Sequence, residues 1–254
     1  MNYGTEIHGD NETIYLPKDK QSADIYGQNM TVIASGDGVG LSTDAGSGTD
    51  ALIIATGKDA QFYVSTKAVV HSSGNSSNAY VQSDEESEPV IDGAAFHFSG
   101  TGAEITTNNG VKNATVILSG DGSHINDVSP FDSRNTLVLT GDESFAYSYY
   151  VSGTIMATGN DTNIIMGQIH EEHPDVKGGV AMLSGTDCSL VVAPETVGFC
   201  AHNPASVTLR EGGAVAIGWN DGIRERVSVF YEGENGIEAD VAYTMNVQGQ
   251  LVKV

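Results

Sequence analysis

The densest group of potentially reactive side chains is His170-Glu171-Glu172-His173, which is followed by Pro174-Asp175. Two histidines three residues apart could share a metal ion. The zinc-hydrolase pattern, however, places its histidines four apart on a helix, with a glutamate at a fixed position between them. The adjacent proline favours an exposed loop, so we predict no metal site here and no bound cofactor.

Acidic turns elsewhere in the chain raise the question of calcium, because this ion prefers oxygen-rich loops. The calcium-binding β-roll repeats Gly-Gly-x-Gly-x-Asp every nine residues. Here most turns carry one or two carboxylates at a much wider spacing, which favours solvated corner carboxylates. Asp84-Glu85-Glu86-Ser87-Glu88 is interpreted in the same way, as an exposed loop.

Catalytic patterns are weak, and we predict that the protein is not an enzyme. There is no Gly-x-Ser-x-Gly elbow, and Ser123-His124 would point to opposite faces of a strand. Solenoids often carry polysaccharide-cleaving sites, which need paired carboxylates beside an aromatic platform. Tyr147, Tyr149 and Tyr150 are the best such platform, but they are also typical of alternating strand residues. A polysaccharide-active enzyme stays the third alternative.

The elements that would position any site come from an internal repeat, in which three mostly apolar residues precede Ser or Thr and then Gly. Its seven copies end at Gly36, Gly57, Gly100, Gly120, Gly141, Gly159 and Gly185. Successive glycines are 21, 43, 20, 21, 18 and 26 residues apart, so the long gap should hold one degenerate copy, for which Tyr80-Val81-Gln82-Ser83-Asp84 is the candidate.

Each glycine is followed by Asp, Asn, Gly or similar turn formers that tolerate positive φ. Each unit therefore contains a strand, a tight corner and a second strand. A unit of about 20 residues cannot bury its apolar face alone, whereas stacked units bury a continuous core. We predict an all-β protein: a β-solenoid, coiled as a right-handed β-helix with its glycine corners in one row.

Strand alternation assigns a face to each column of the repeat. The residues four and two before the glycine, such as Val116 and Leu118, form the predicted core. The column three before the glycine points outward and should be covered by the chain itself or by a second copy, because large exposed apolar patches mark interfaces. The candidate interface residues are Ile33, Ile54, Ile117, Val138, Met156 and Met182. His97 replaces an aliphatic residue in this column and is predicted to be a surface or interface histidine.

The pattern predicts three regions: an N-terminal capping segment at 1–30, the solenoid at 31–205 and a C-terminal β cap at 206–254. The cap holds the one tryptophan, Trp219, followed by the hairpin signal Asn220-Asp221-Gly222. We expect two or three further strands after this turn.

Charge narrows the possible partners, since 33 Asp and Glu against 11 Lys and Arg give a net charge of -22. Residues 1–205 hold 26 acidic and 7 basic side chains, a charge of -19, and residues 206–254 hold 7 and 4, a charge of -3. Such a chain repels nucleic acid and anionic lipid, so charged partners should be basic proteins.

The sequence shows no leader or membrane span, so we expect a soluble, cytoplasmic protein. Cys188 and Cys200 are interpreted as buried hydrophobic residues.

The corners at Ala55-Thr56-Gly57 and Ala157-Thr158-Gly159, together with the segment from Tyr231 to Asp240, resemble uncharacterised solenoid proteins of enterobacteria, their phages and their prophages. In that family comparable segments close a run of short repeats. The resemblance implies this architecture and a phage or prophage origin in a bacterial host. It implies no catalytic residue.

Charge and shape together suggest a DNA mimic. Eight or nine rungs at about 4.8 Å span roughly 40 Å, along which duplex DNA carries about 24 phosphates. We hypothesise a non-enzymatic inhibitor that occupies a basic nucleic-acid-binding partner, as in anti-CRISPR or anti-restriction proteins. The candidate binding residues form an acidic ridge on consecutive corners: Asp121, Asp142, Glu143, Asp161 and Asp187. The alternative is a phage fibre or adhesin-like module that binds carbohydrate.

Overall fold

The computed structural model describes residues 5–43, 50–64, 67–81, 91–108, 111–128, 134–149, 153–167, 178–194 and 196–254. All regular elements in these ranges are β-strands, numbered β1 to β27 in chain order. They stack mainly in parallel and form a β-solenoid of about nine turns, which confirms the predicted fold. The right-handed coil stays a prediction. None of the described residues belongs to a helix long and apolar enough to cross a membrane.

Two long sheets run the length of the solenoid, and a two-stranded sheet joins β10 (Ile91–Asp92) to β13 (Val111–Lys112). Sheet 1 contains, in spatial order, β1 (Thr5–His8), β3 (Ser22–Tyr26), β5 (Gly40–Thr43), β7 (Gln61–Val64), β9 (Asn78–Val81), β12 (Glu104–Thr107), β15 (His124–Asp127), β17 (Phe145–Ser148), β19 (Asn163–Met166), β21 (Ser189–Val192), β23 (Ser206–Leu209), β26 (Ala242–Met245) and β27 (Leu251–Lys253).

Sheet 2 contains β2 (Thr13–Leu16), β4 (Met30–Ala34), β6 (Ala51–Ala55), β8 (Ala68–Ser72), β11 (Ala95–Phe98), β14 (Thr115–Leu118), β16 (Thr136–Leu139), β18 (Thr154–Ala157), β20 (Val180–Leu183), β22 (Val197–Cys200), β24 (Ala214–Asn220) and β25 (Glu225–Tyr231). The nine sheet 2 strands from β4 to β22 lie in the range predicted for the solenoid, together with the sheet 1 strands between them.

The core lies between the two sheets and is built by alternation of buried and outward-facing residues along most strands, although β3 buries three residues in succession. In β14, Val116 and Leu118 are fully buried, whereas Thr115 and Ile117 face outward and are only partly buried. The register keeps like positions in line, because Val116 pairs with Phe96 on one side and Leu137 on the other. The predicted core columns are therefore confirmed.

The glycine corners form one row, as predicted, but for a steric reason that the sequence did not show. A Cβ at Gly120 would lie 2.1 Å from the carbonyl oxygen of Gly100, and one at Gly141 would lie 2.3 Å from that of Gly120. Such contacts are far below van der Waals separation. Glycine is required because adjacent rungs meet backbone to backbone at this corner.

The predicted degenerate copy was wrong. Tyr80 and Val81 belong to β9 in sheet 1, and the missing sheet 2 copy is β8, which ends before Ser73 and Gly74. A Cβ at Gly74 would lie 1.8 Å from the carbonyl oxygen of Gly57, so Gly74 belongs to the corner row. The repeat pattern did not identify this copy because His71 and Ser72 replace apolar residues. Ser72 is nevertheless buried, and its hydroxyl donates a 2.9 Å hydrogen bond to that of Ser77.

Parallel stacking extends past both boundaries predicted for the solenoid. Strands β1 to β3, in the predicted capping segment, already pair in parallel with β3 to β5. At the other end β23 and β24 pair in parallel with β21 and β22, and antiparallel pairing begins with β25 and β26. The hairpin predicted after Trp219 joins β24 to β25, and the indole nitrogen donates a 2.9 Å hydrogen bond to Ser228.

Candidate functional site

The corner after each row glycine has a fixed three-residue design. The first residue is exposed, the second has a left-handed backbone and the third is small and buried. At Gly120 these residues are Asp121, Gly122 with φ 64°, and Ser123, whose hydroxyl donates a 2.6 Å bond to the Gly120 carbonyl. The second position is left-handed with side chains other than glycine as well: Asp59, Ser76, Glu143, Asp161 and Asp187.

First-position Asp and Asn side chains join successive corners. Asp121 Oδ1 accepts a 2.9 Å bond from the backbone N–H of Asp142, and Asp142 Oδ1 accepts a 2.7 Å bond from that of Asn160. Asn160 Oδ1 continues the ladder to Thr186 at 3.0 Å. The backbone runs a second ladder beside it, because Glu143 N–H donates to the Asn160 carbonyl at 2.9 Å. From Asp121 to Thr186, each corner is thus tied to the next by at least one side-chain bond and one main-chain bond.

The structure places the five residues of the predicted acidic ridge on four consecutive corners of one edge of the solenoid. Asp121 and Asp142 occupy the first position, and Glu143, Asp161 and Asp187 occupy the left-handed second position. All five side chains are exposed. The sequence therefore predicted their grouping, but it did not show that Asp121 and Asp142 each use one carboxylate oxygen to hold the next rung.

The field of the acidic ridge reaches the buried third position. Burial raises the pKa of the Cys188 thiol, a backbone hydrogen bond from Thr162 lowers it, and the carboxylates of Asp161, Asp187 and Asp142 raise it further. These three carboxylates therefore act together on a single point. Both cysteines are free and buried, as predicted, and burial with a smaller effect of Cys188 raises the pKa of Cys200 to about 12.

The same edge continues toward the N-terminus with carboxylates that were not among the predicted ridge residues. Asp19 and Asp37 occupy the first position, since each accepts a backbone N–H from the next corner at 2.9 and 2.8 Å. Lysines interrupt this part of the edge, because Lys20 follows Asp19 on one corner and Lys58 takes the first position on the corner after that of Asp37. The acidic ridge is therefore the stretch of this edge where four consecutive corners carry carboxylates and no lysine.

The predicted interface column lies on the outer face of sheet 2, in register from rung to rung. It pairs Ile33 with Ile54, Ile117 with Val138, and Met156 with Met182. His97 continues the column as an exposed residue, and its ring meets that of His71 edge to face with centroids 4.9 Å apart. Met182 and Phe199 are 42% and 43% exposed, so the described part of the chain leaves this column open.

Two shallow hollows interrupt this face. One, of about 350 Å³, lies among Ile54, His71, His97 and Ile117, and the other, of about 470 Å³, lies among Met156, Met182, Phe199 and their neighbours. The linings of both are mostly apolar, and neither contains a charged side chain. Covering of the interface column stays a prediction.

The outer face of sheet 1 differs from that of sheet 2 because it mixes aromatic, amide and carboxylate side chains. Tyr63 and Tyr80 lie on adjacent strands with ring centroids 6.4 Å apart, beside Gln61, Asn78 and Glu104 in a groove of about 220 Å³. Sequence reasoning missed this pair, since it depends on which strands are neighbours in sheet 1 and on their register.

Other sequence candidates separate in the structure. Tyr147 lies on the same outer face with its ring 6.1 Å from that of Tyr149, whereas Tyr150 is outside the described residues. The segments 170–173 and 84–88 are also outside them. Ser123 is buried and His124 exposed, which confirms that they face opposite ways. In the described ranges no group of three or more potential metal ligands is found.

Comparison with known proteins gives one limited relationship. A stretch of 48 residues is 46% identical to the uncharacterised protein YdhT of Escherichia coli strain K12, covering 19% of this chain and 18% of that protein. No protein-family model and no solved structure matches the chain. The chain is thus similar, over a fifth of its length, to a protein of an enterobacterium.

Proposed function

We propose that the protein is a non-enzymatic acidic binding protein that occupies a basic, nucleic-acid-binding partner through the acidic ridge. The observation that carries the proposal is the alignment of five exposed carboxylates on four consecutive corners of one edge. Carboxylates scattered for solubility alone would not need this alignment.

The spacing of the ridge resembles that of a nucleic-acid backbone. Corners repeat about every 4.8 Å, so four corners span about 14 Å and carry roughly one charge per 3.6 Å. One strand of duplex DNA carries a phosphate about every 3.4 Å. A basic groove built for phosphates can therefore meet the ridge charge for charge, and release of its counterions favours binding.

The rest of the molecule supports the same use. The charge of -19 on residues 1–205 steers the solenoid toward a basic surface, and the nearly balanced C-terminal part does not compete for it. Restriction and CRISPR nucleases are one class of partner with such grooves. A phage or prophage gene encoding their inhibitor fits the resemblance described above.

The test compares two variants with equal changes in charge. The ridge variant carries Asp121→Asn, Asp142→Asn, Glu143→Gln, Asp161→Asn and Asp187→Asn. The control carries Glu6→Gln, Glu12→Gln, Asp50→Asn, Glu211→Gln and Glu234→Gln, at exposed positions outside the ridge and outside the sheet 1 groove. A partner captured by the native protein from bacterial lysate is then titrated with all three proteins, with duplex DNA as competitor.

We expect the ridge variant to lose at least about fivefold in affinity, since five exposed ion pairs at about 0.2–1 kcal/mol each contribute about 1–5 kcal/mol together. The control should lose much less, and DNA should displace the native protein. Equal losses in both variants, or binding that DNA does not affect, would refute mimicry through this edge.

A second candidate, carbohydrate binding, is favoured by the groove on sheet 1. Aromatic rings beside planar amide and carboxylate groups suit a sugar, which offers an apolar ring face and a rim of hydroxyls. Titration of a glycan panel against the native protein and the Tyr63→Ala/Tyr80→Ala variant tests it. Binding that this variant loses and the ridge variant keeps would replace the first proposal.

A further inference from the structure

The outer face of sheet 2 carries no formal charge over ten successive strands, from β4 to β24. Each strand, taken with the residue that follows it, contributes three outward positions, in the register fixed by the parallel pairing and by the backbone bonds just after the strands. The first column is Thr, Val, Leu or Ala, and the third is Ser or Thr at most rungs. The second is the predicted interface column, which continues at the other rungs with His71, His97, Phe199 and Ala216, the histidines being counted as neutral. We call this surface the neutral face.

The absence of charge is unusual for this chain, which carries 33 acidic and 11 basic residues. The acidic ridge begins two residues after the Ser/Thr column, as in Ser119-Gly120-Asp121, so the boundary between charged and uncharged surface follows one line of corners. Solubility favours charges on an open sheet face. A whole face without them, with half-exposed Ile, Val, Met and Phe in its centre, has the composition of a buried interface.

The size of the neutral face matches what a stable dimer needs. Ten strands about 4.8 Å apart and five residues wide at about 3.3 Å each give roughly 700 Å² on each copy. Stable interfaces bury about 800 Å² on each partner. Two sheet faces pack well at a separation of about 10 Å with interdigitating side chains, and the two hollows leave room for such contacts.

The absence of charge on the neutral face indicates which partner binds it. A basic partner would gain nothing from a surface without carboxylates and would bind the acidic edge instead. A second copy of a chain with a net charge of -22 can approach closely only where neither surface is charged. We infer that the neutral face is a self-complementary surface through which two copies of this chain pack sheet against sheet, as a two-fold dimer. This inference is independent of the function proposed for the acidic ridge.

Sedimentation velocity on the full chain tests the inference. At micromolar concentration the native protein should sediment with twice the 26.5 kDa mass of the chain. Val138→Asp places a charge at the centre of the neutral face, and Ser119→Asp places one at an already exposed hydroxyl where folding is not at risk. Both variants should halve the sedimenting mass and keep the far-ultraviolet spectrum of the β-sheet.

The matched control is Asn126→Asp, which adds the same charge to an exposed position on the outer face of sheet 1. It should stay a dimer. A monomeric native protein, an assembly that grows without limit with concentration, or a Ser119→Asp variant that still dimerises would each overturn the inference.

Discussion

Replacement of Gly120 by alanine tests the physical basis of the whole stack. The added Cβ would lie 2.1 Å from the Gly100 carbonyl oxygen, and relief to about 3.5 Å requires a local separation of the rungs by about 1.4 Å. The adjoining bond from Ser119 N–H to the Phe98 carbonyl, now 2.9 Å long, would break. Overpacking costs about 1–3 kcal/mol and the lost bond about 1 kcal/mol, so the free energy of unfolding should fall by about 2–4 kcal/mol.

The matched control lies two residues away. Gly122 has φ 64° and no atom within 4 Å of its would-be Cβ, and asparagine visits this backbone conformation readily. Gly122→Asn should therefore cost less than about 1 kcal/mol. Thermal melts followed by circular dichroism should show a midpoint lower by about 4–16 °C for Gly120→Ala, since 1 kcal/mol shifts Tm by about 2–4 °C in chains of this size. Equal midpoints for the two variants would refute the steric explanation of the corner row.

Three other outcomes follow from contacts inside the solenoid. Asp142→Asn should be as stable as the native protein, because Asn160 already fills the equivalent ladder position. Asp142→Ala should lower the free energy of unfolding, measured by chemical denaturation, by about 1 kcal/mol. Asp127→Ala should cost at least about 1–3 kcal/mol in the same assay, because the buried Thr107 and Asn135 side chains, at 2.5 and 3.2 Å, would lose their acceptor. Both cysteines should resist iodoacetamide at pH 8 until denaturant is added, because burial raises both thiol pKa values and few thiolates form. Mass spectrometry measures the labelling, and rapid labelling of the native protein would contradict this prediction.

The columns of the sequence predicted the parts of the fold that depend on local alternation. Val116 and Leu118 could be assigned to the core because residues two apart share a face of a strand. The glycine row could be assigned because the glycines recur at the same position of the repeat. Their physical role could not be read in this way, since the oxygen that excludes a Cβ at Gly120 belongs to Gly100, 20 residues earlier.

The sequence did not identify rungs that keep the strand geometry but carry residue types different from those of the repeat. Strand β8 carries Ser72 in a buried apolar column, and the hydrogen bond to Ser77 compensates for its burial. Strand β2 is followed by Pro17 and Lys18 in place of the Ser-Gly or Thr-Gly pair of the next eight corners, so the sequence pattern did not assign the first rung to the solenoid.

Of the candidate surfaces, one could be predicted from the repeat alone, whereas the other two depend on how the strands pair. The carboxylates of the acidic ridge follow glycines, so counting along the repeat was enough to group them. The pairing of Tyr63 with Tyr80 depends on a strand assignment that the misplaced copy had obscured. The neutral face could not be recognised from its apolar column alone, because its two flanking columns become part of one surface only when ten strands are in register.

The acidic ridge and the neutral face constrain each other physically. At the corner of β14 only Gly120 separates Ser119 on the neutral face from Asp121 on the ridge, so two copies packed face to face would keep their ridges at the rim of the interface, open to a partner. Salt should then act on the two surfaces in opposite directions. Screening weakens attraction between the ridge and a basic groove, but it also reduces the repulsion between two chains of charge -22 while leaving apolar contact intact. Opposite salt dependences measured on one protein would therefore assign the two events to two surfaces.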